Sequence, residues 1–142
     1  MKKIQQAAAL PFQIVDGKIQ LLLIQTRSGN NWTIPKGIID PGYTPRQTAI
    51  EEAFEEAGIS GQVFDYPYGH FSYEKWQSLC EVKTFLMRVD QIFDQWPEKT
   101  WRRRLWIFGD HDLRIIKYES LRNLLIKFFY DTNLHQQLAK NN

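Results

Sequence analysis

Residues 35–59 read PKGIIDPGYTPRQTAIEEAFEEAGI: a glycine-containing loop over residues 35–42, then four glutamates within six positions, Glu51, Glu52, Glu55 and Glu56. Thr44-Pro45-Arg46-Gln47 predicts a capping box, with Thr44 as N-cap, Pro45 at the first helical position and Gln47 reaching back to the cap. Gly58 follows Ala57 where a left-handed residue ends a helix, so a helix of about 13 residues is expected. At about 100° per residue, Glu52, Glu55 and Glu56 share one face. Glu51 flanks Glu55 at i,i+4, where like charges repel by roughly 0.2–0.5 kcal/mol. Ile50, Ala53, Phe54 and Ala57 take the opposite face. The expectation is a helix that packs by this Ile/Ala/Phe side and leaves its carboxylates open. Such a crowd of anions is either a solvated acidic face or a set of oxygen ligands for a divalent cation.

The flanking sequence supplies a sheet. Residues 6–15, the Asp16-Gly17 turn and residues 18–27 predict a β-hairpin with a strongly apolar second strand. A polar loop over 28–31 leads to a short strand at 32–35. Downstream, 62–65 and 69–75 read as extended, 79–89 alternates as a central strand, and 102–108 forms another. From Tyr118 to about Leu138, the residues Leu121, Leu124, Leu125, Phe128 and Phe129 recur at helical spacing. That predicts one C-terminal amphipathic helix, packed on the core or presented to a membrane or partner. Strands with a helix between them and a helix at the end give the α/β class, an α/β/α sandwich on a mixed β-sheet. No repeat, low-complexity run or linker divides the chain, so residues 1–142 are expected to form one domain.

Composition agrees with an enzyme-like core. Hydrophobic residues make up 43% and aromatics 14%, and the net charge of +2 demands neither a nucleic-acid nor a membrane partner. The single cysteine, Cys80, excludes an internal disulfide and suggests a reducing compartment; it reads as a small core residue. The start of the chain lacks the apolar run of a secretion signal, and no stretch of about 18 apolar residues occurs. A cytoplasmic location is the resulting expectation.

Gly37, Glu52, Ala53, Glu55, Glu56, Gly58 and Ile59 fall in register across 23 positions with the signature of the Nudix hydrolases, which this chain resembles. That signature is Gly, five residues, Glu, seven residues, Arg-Glu, an aliphatic residue, any residue, Glu-Glu, any residue, Gly and an aliphatic residue. Trp32-Thr33-Ile34-Pro35-Lys36 is similar to the strand leading into the Nudix box. Trp96-Pro97-Glu98 with Arg103 and Trp106 resembles the branch that cleaves diadenosine polyphosphates and diphosphoinositol polyphosphates. Two positions depart: Tyr43 stands where the signature has its first Glu, and Glu51 where it has the Arg that neutralises and orients the carboxylates. A hydrogen bond from the Tyr43 hydroxyl to Glu51 would link the two departures.

The resemblance implies a Nudix-type α/β/α sandwich and a hydrolase of phosphoanhydride bonds. Its substrate would be a nucleoside diphosphate or polyphosphate linked to another group, such as a dinucleoside polyphosphate. Mg²⁺ or Mn²⁺ would be held by Glu52, Glu55, Glu56 and the Gly37 carbonyl, with Glu55, or else Glu52, taking a proton from water. Glu98 is either a further ligand or an ordinary exposed glutamate. Arg27 stands where the inositol-pyrophosphate branch binds phosphate, and Lys36 precedes Gly37; both are candidate substrate contacts. In a strand over 102–108, Arg103 would face away from Arg102 and Arg104, so that one face lines a polyphosphate channel while the other is solvated; Arg103 is the candidate substrate contact. Arg46, in the first helical turn, hints at a nearby anion. Trp32, Tyr43, Tyr73 and Trp76 offer rings for a base or fill the core and rim. His70, His111 and His135 lack ligand spacing and read as structural or surface residues. A homodimer is one assembly the family offers. The other functional classes are a binding or sensor module on the same scaffold, supported by Tyr43 and Glu51, and removal of pyrophosphate from RNA 5′ ends, which would call for a more basic surface.

Overall fold

The computed structural model describes residues 1–109 and 113–140; His111 lies outside them. Its strands are β1 (Lys2–Val15), β2 (Lys18–Gln25), β3 (Trp32–Thr33), β4 (Lys36–Ile38), β5 (Ile59–Val63), β6 (Gly69–Lys75), β7 (Ser78–Ile92) and β8 (Arg104–Ile107). Helix α1 is Pro45–Ala57, and α2 (Glu119–Tyr130) and α3 (Thr132–Lys140) close the chain. The strands form a mixed sheet in the order β3-β2-β1-β7-β5, with β4 added to β1, β6 to β7 and β8 to β2. The long central pair β1 and β7 is parallel, running from Lys2 opposite Ser78 to Phe12 opposite Arg88. The remaining named pairs are antiparallel.

Period-two alternation divides the core between the two faces of the sheet. Ala8, Leu10 and Phe12 of β1 join Leu21, Leu23, Cys80, Val82 and Leu86 beneath α2, whose Leu121, Leu125 and Phe128 are fully covered. Ala7 and Ala9 point the other way, with Leu22, Ile24, Phe85 and Met87, and meet Ala49, Ala53 and Ala57 of α1. Helix, sheet and helix therefore stack as the expected α/β/α sandwich, and Cys80 sits in the core as expected. No helix among the described residues is long and apolar enough to cross a membrane.

Several expectations need correction. β1 begins at Lys2 rather than residue 6, because its first residues pair with β7. Residues 36–38, read as loop, form the short strand β4 against Gln6–Ala8. Helix α1 has the expected limits, capping box and left-handed Gly58, but it buries Thr48, Ala49, Ala53 and Ala57. Ile50 and Phe54 are 37% and 41% exposed. Alanines on the strand below favour alanines on the helix above, and this rotates the bulky pair outward; Phe54 packs edge-on against Phe93 at 5.5 Å. The single C-terminal helix is two, broken at Asp131. One carboxylate oxygen of Asp131 caps α3 by accepting the Leu134 N–H at 3.1 Å, while the other accepts the Tyr68 hydroxyl at 2.9 Å. Strand β8 begins at Arg104, two residues later than expected.

Candidate active site

The close seat of α1 on β1 fixes the position of its carboxylates. Strand β4 runs beside β1 with Gly37 opposite Ala7, and Glu52 lies directly over Gly37. A Cβ at Gly37 would come within 2.4 Å of the Glu52 carboxylate, so glycine leaves the space in which that carboxylate sits. Glu56, one turn further, accepts the Lys36 N–H at 3.1 Å.

The C-terminus of α1 is tied down by a different loop. Every helix leaves its last carbonyls without intrahelical partners. In α1 the Gly58 N–H takes the carbonyls of Ala53 and Phe54. The Glu98 N–H takes that of Glu55 at 3.1 Å, the Trp96 indole N–H that of Glu56 at 3.2 Å, and the Arg104 guanidinium that of Ala57 at 3.1 Å. Arg104 also lies 3.9 Å from the Trp96 ring centroid. These bonds bring Glu98 alongside the carboxylates of α1.

Arg102 locks the cluster. Its Nε is 2.9 Å from Glu98 and its Nη2 is 3.3 Å from Glu56, while Nη1 donates to the Gln25 carbonyl. Its side chain is only 9% exposed and that of Glu56 only 12%, so this is a desolvated ion pair. Arg27 and Arg102 both sit over Trp101, at 4.7 and 4.1 Å.

A cavity of about 790 Å³ opens above these groups, lined by Gly37, Glu52, Glu55, Glu56, Glu98, Arg102, Arg27 and Lys36, and on its remaining wall by Tyr73, Lys75, Trp76, Lys117 and Tyr118. Glu52 is pushed up to about 8, first by burial and then by the Glu56, Glu55 and Glu98 carboxylates. Burial also raises Glu56, against the pull of Arg102 and Lys36, and burial lowers Lys36. Among the described residues, no three acidic, His or Cys side chains already stand in a ligating cluster. The donor set nonetheless fits a divalent cation. It is all oxygen, it is gathered around one cavity from two elements, and burial together with mutual repulsion holds a proton on Glu52.

The expected site residues are thus placed as follows. Gly37, Glu52, Glu55, Glu56, Glu98, Arg27 and Lys36 all border the cavity. Arg103 does not; its side chain is exposed, because position 102 precedes the strand and the inferred alternation does not reach it. Arg102 takes the inward place, and its i,i+4 spacing from Glu98 was the available signal. Lys75 and Lys117 are further cavity residues that sequence reasoning passed over. Tyr43 and Glu51 are both exposed, and no hydrogen bond joins them. The anion beside Arg46 is Asp65, at 3.9 Å, and Arg46 also donates to the Val63 carbonyl at 2.8 Å. His70 is exposed, and His135 contacts the Phe128 carbonyl at 2.7 Å.

An α/β/α sandwich with a carboxylate helix entered through a glycine strand defines a recognisable class. A family model for the NUDIX domain matches residues 4–107, and the chain belongs to that family. It is 28% identical to the asymmetrical bis(5'-nucleosyl)-tetraphosphatase of Caenorhabditis elegans over 88% of this chain and 94% of that protein. The crystal structure of the C. elegans Ap4A hydrolase superposes with a TM-score of 0.72 at 28% identity, covering 90% of this chain and 96% of that one. Nudix hydrolase 12, mitochondrial, of Arabidopsis thaliana is 26% identical over 78% of this chain, which spans 59% of that relative's length.

Proposed function

We propose that this chain is a metal-dependent hydrolase that cleaves a phosphoanhydride bond in a nucleoside diphosphate or polyphosphate linked to another group, dinucleoside polyphosphates included, as a single domain over residues 1–142. The observation that carries this reading is the meeting of Glu52, Glu55, Glu56 and Glu98 on a cavity whose other walls hold Arg27, Lys36, Lys75 and Lys117. A polyphosphate needs its charge neutralised before water can approach phosphorus, and cations on one side with cation-binding carboxylates on the other supply that. Mg²⁺ or Mn²⁺, held by Glu52, Glu55, Glu56, Glu98 and the Gly37 carbonyl, would act as Lewis acid and acidify a bound water.

The protein's own groups divide the remaining work. Arg102 holds Glu56 and Glu98 in place through its two ion pairs. Glu55, exposed on the cavity wall and outside the ion pair, accepts the proton of the attacking water, with Glu52 the alternative. The water oxygen bonds to phosphorus, the bridging P–O bond breaks, and the leaving phosphate carries the electron pair away. Lys36 and Arg27 balance that charge. Buried Cys80 supports a reducing setting such as the cytoplasm. Arg102 also bears on the binding-module alternative, because a buried guanidinium from another loop compensates the carboxylates that Glu51 leaves without a box arginine.

The test incubates the purified protein with Mg²⁺ or Mn²⁺ and dinucleoside polyphosphates, nucleotide sugars, nucleoside triphosphates and inositol pyrophosphates, with products read by phosphorus NMR. Turnover abolished by Glu55→Gln with Glu56→Gln is expected. No turnover on any compound, with metal binding intact, would replace the hydrolase by a binding module.

A further inference from the structure

The two segments that bring Arg27 and Arg102 to the cavity are clamped together by their backbones and by one indole. Gln25 donates its N–H to the Arg103 carbonyl at 3.1 Å, and the Arg102 guanidinium donates to the Gln25 carbonyl. Arg27 lies two residues beyond Gln25, and Trp101 two residues before Arg103. The chain around Arg27 is a closed turn, in which the Thr26 N–H bonds the Asn31 carbonyl at 2.8 Å and the Gly29 N–H bonds the Thr26 carbonyl at 2.9 Å. Trp101 is half-buried and donates its N–H to the Glu98 carbonyl at 3.3 Å, within the loop whose Glu98 N–H caps α1.

The two guanidiniums on that indole differ in what remains to them. Arg102, 4.1 Å from the ring centroid, commits its N–H groups to Glu56, Glu98 and the Gln25 carbonyl. Arg27, 4.7 Å from the same centroid, is exposed and makes no ion pair or hydrogen bond among the described residues. A guanidinium is a planar fork of five donors. A carboxylate would hold Arg27 by taking those donors and cancelling its charge. A π-face holds the plane of the group instead and leaves the edge N–H groups free. Arg27 borders the cavity and Trp101 does not, so the ring stands behind the arginine and clear of any ligand. An arginine left to rotate would lose its rotamer freedom only on binding, which weakens affinity by roughly 2- to 12-fold per side chain.

We propose that Trp101 is a positioning residue whose indole holds Arg27 in advance, with its charge and donors uncommitted, for an anionic oxygen of the polyphosphate. This rests on the polyphosphate reading of the cavity and deepens it. Affinity at the Arg27 rim then depends on a ring outside the cavity, carried by the loop that also supplies Glu98 to the carboxylate cluster.

The test measures calorimetric binding of adenosine 5′-(β,γ-methylene)triphosphate in Mg²⁺, together with KM and kcat for whichever substrate is turned over. The proteins are wild type, Trp101→Leu, Trp101→Phe, Arg27→Ala and the double variant Trp101→Leu with Arg27→Ala. Trp101→Leu is expected to weaken the analogue and raise KM by about fivefold, with kcat and Mg²⁺ affinity within about twofold. Trp101→Phe keeps a π-face and should stay within about twofold of wild type. In the Arg27→Ala background the leucine should change analogue affinity by less than about twofold, since both residues act through one guanidinium. A merely structural indole would give the same loss with or without Arg27. Should Trp101→Leu not fold, Trp101→Met, also apolar and without a π-face, carries the same comparison. Additive losses, unchanged affinity in Trp101→Leu, or no binding of the analogue to wild type would overturn the proposal. So would a matching loss of Mg²⁺ affinity, which would mean that the ring acts through Arg102. Analogue binding coupled to Trp101 and Arg27 without turnover of any substrate would sink the hydrolase and leave the positioning role standing. Turnover with a wild-type KM in Trp101→Leu would do the reverse.

Discussion

Gly37→Ala isolates the contact between β4 and α1 on which the carboxylate cluster depends. The added methyl would lie 2.4 Å from both Cδ and Oε1 of Glu52 and 2.9 Å from Cγ, whereas ordinary contact begins near 3.4 Å. The carboxylate must therefore retreat by about 1 Å, a displacement that can cost on the order of 10²-fold in rate when it misplaces a reacting group. The backbone need not move, because the methyl meets only the far end of a flexible side chain. Replacing glycine also gains about 0.4–1 kcal/mol by restricting the unfolded chain, which offsets part of the strain. The melting temperature should stay within about 3 °C of wild type, the equivalent of roughly 1 kcal/mol at this size. Turnover of the preferred substrate in Mg²⁺, Mg²⁺ affinity by calorimetry and melting in chelator form the assay. Gly37→Ala with Glu52→Ala should be no worse than Glu52→Ala alone, since both act through one group. Near-normal activity with normal metal affinity would refute the reasoning. So would a melting temperature lowered by about 10 °C, which would mean that the strand and not the carboxylate had moved.

Arg102→Met should lower stability in chelator by about 3 kcal/mol, or roughly 10 °C, by leaving Glu56, largely buried, and Glu98, partly buried, without a counter-ion. Mg²⁺ should restore more in this variant than it adds to wild type, and equal metal effects on the two melting curves would contradict a shared site. Gly58→Ala forces a side chain into φ +64° and brings its Cβ within 2.7 Å of the Trp96 ring. About 3 kcal/mol should be lost as a shifted urea midpoint with unchanged slope, the left-handed backbone alone costing roughly 1–2 kcal/mol; a loss below about 1 kcal/mol would show that Trp96 yields freely. Folded Glu52 keeps its proton up to about pH 8, whereas an unfolded glutamate releases it near 4.5. The unfolded chain binds fewer protons across that window, so the metal-free protein should lose stability as pH rises from about 5 to 8. Glu52→Gln should flatten that slope in pH-dependent melting, and an unchanged slope would remove Glu52 as its source.

What could be read from the sequence was local. The limits of α1 follow from Thr44, Pro45, Gln47 and Gly58 alone, because capping chemistry involves only neighbours along the chain. The β1–β2 hairpin was legible for the same reason, through Asp16-Gly17. The buried face of α1 was not, since hydrophobicity nominates Ile50 and Phe54 whereas the clearance above Ala7 and Ala9 selects Ala49, Ala53 and Ala57. The break at Asp131 is hidden inside an unbroken apolar period and is stabilised by Tyr68, 63 residues away. Strand alternation could not decide between Arg102 and Arg103, because their directions depend on where β8 starts, and β8 is positioned by pairing with β2.

The parallel ladder between β1 and β7 also sets a schedule for synthesis. Lys2 pairs with Ser78 and Phe12 with Arg88, so each rung joins residues about 76 positions apart. At roughly 5–20 residues per second, the first strand leaves the ribosome some 4–15 seconds before its partner exists. During that interval the apolar run from Ala7 to Phe12 has only β2 and β4 beside it, and its other edge stands open to strands of other nascent chains. The pairing at the centre of the sheet that seats the carboxylate helix is thus also one that stays open for seconds during synthesis.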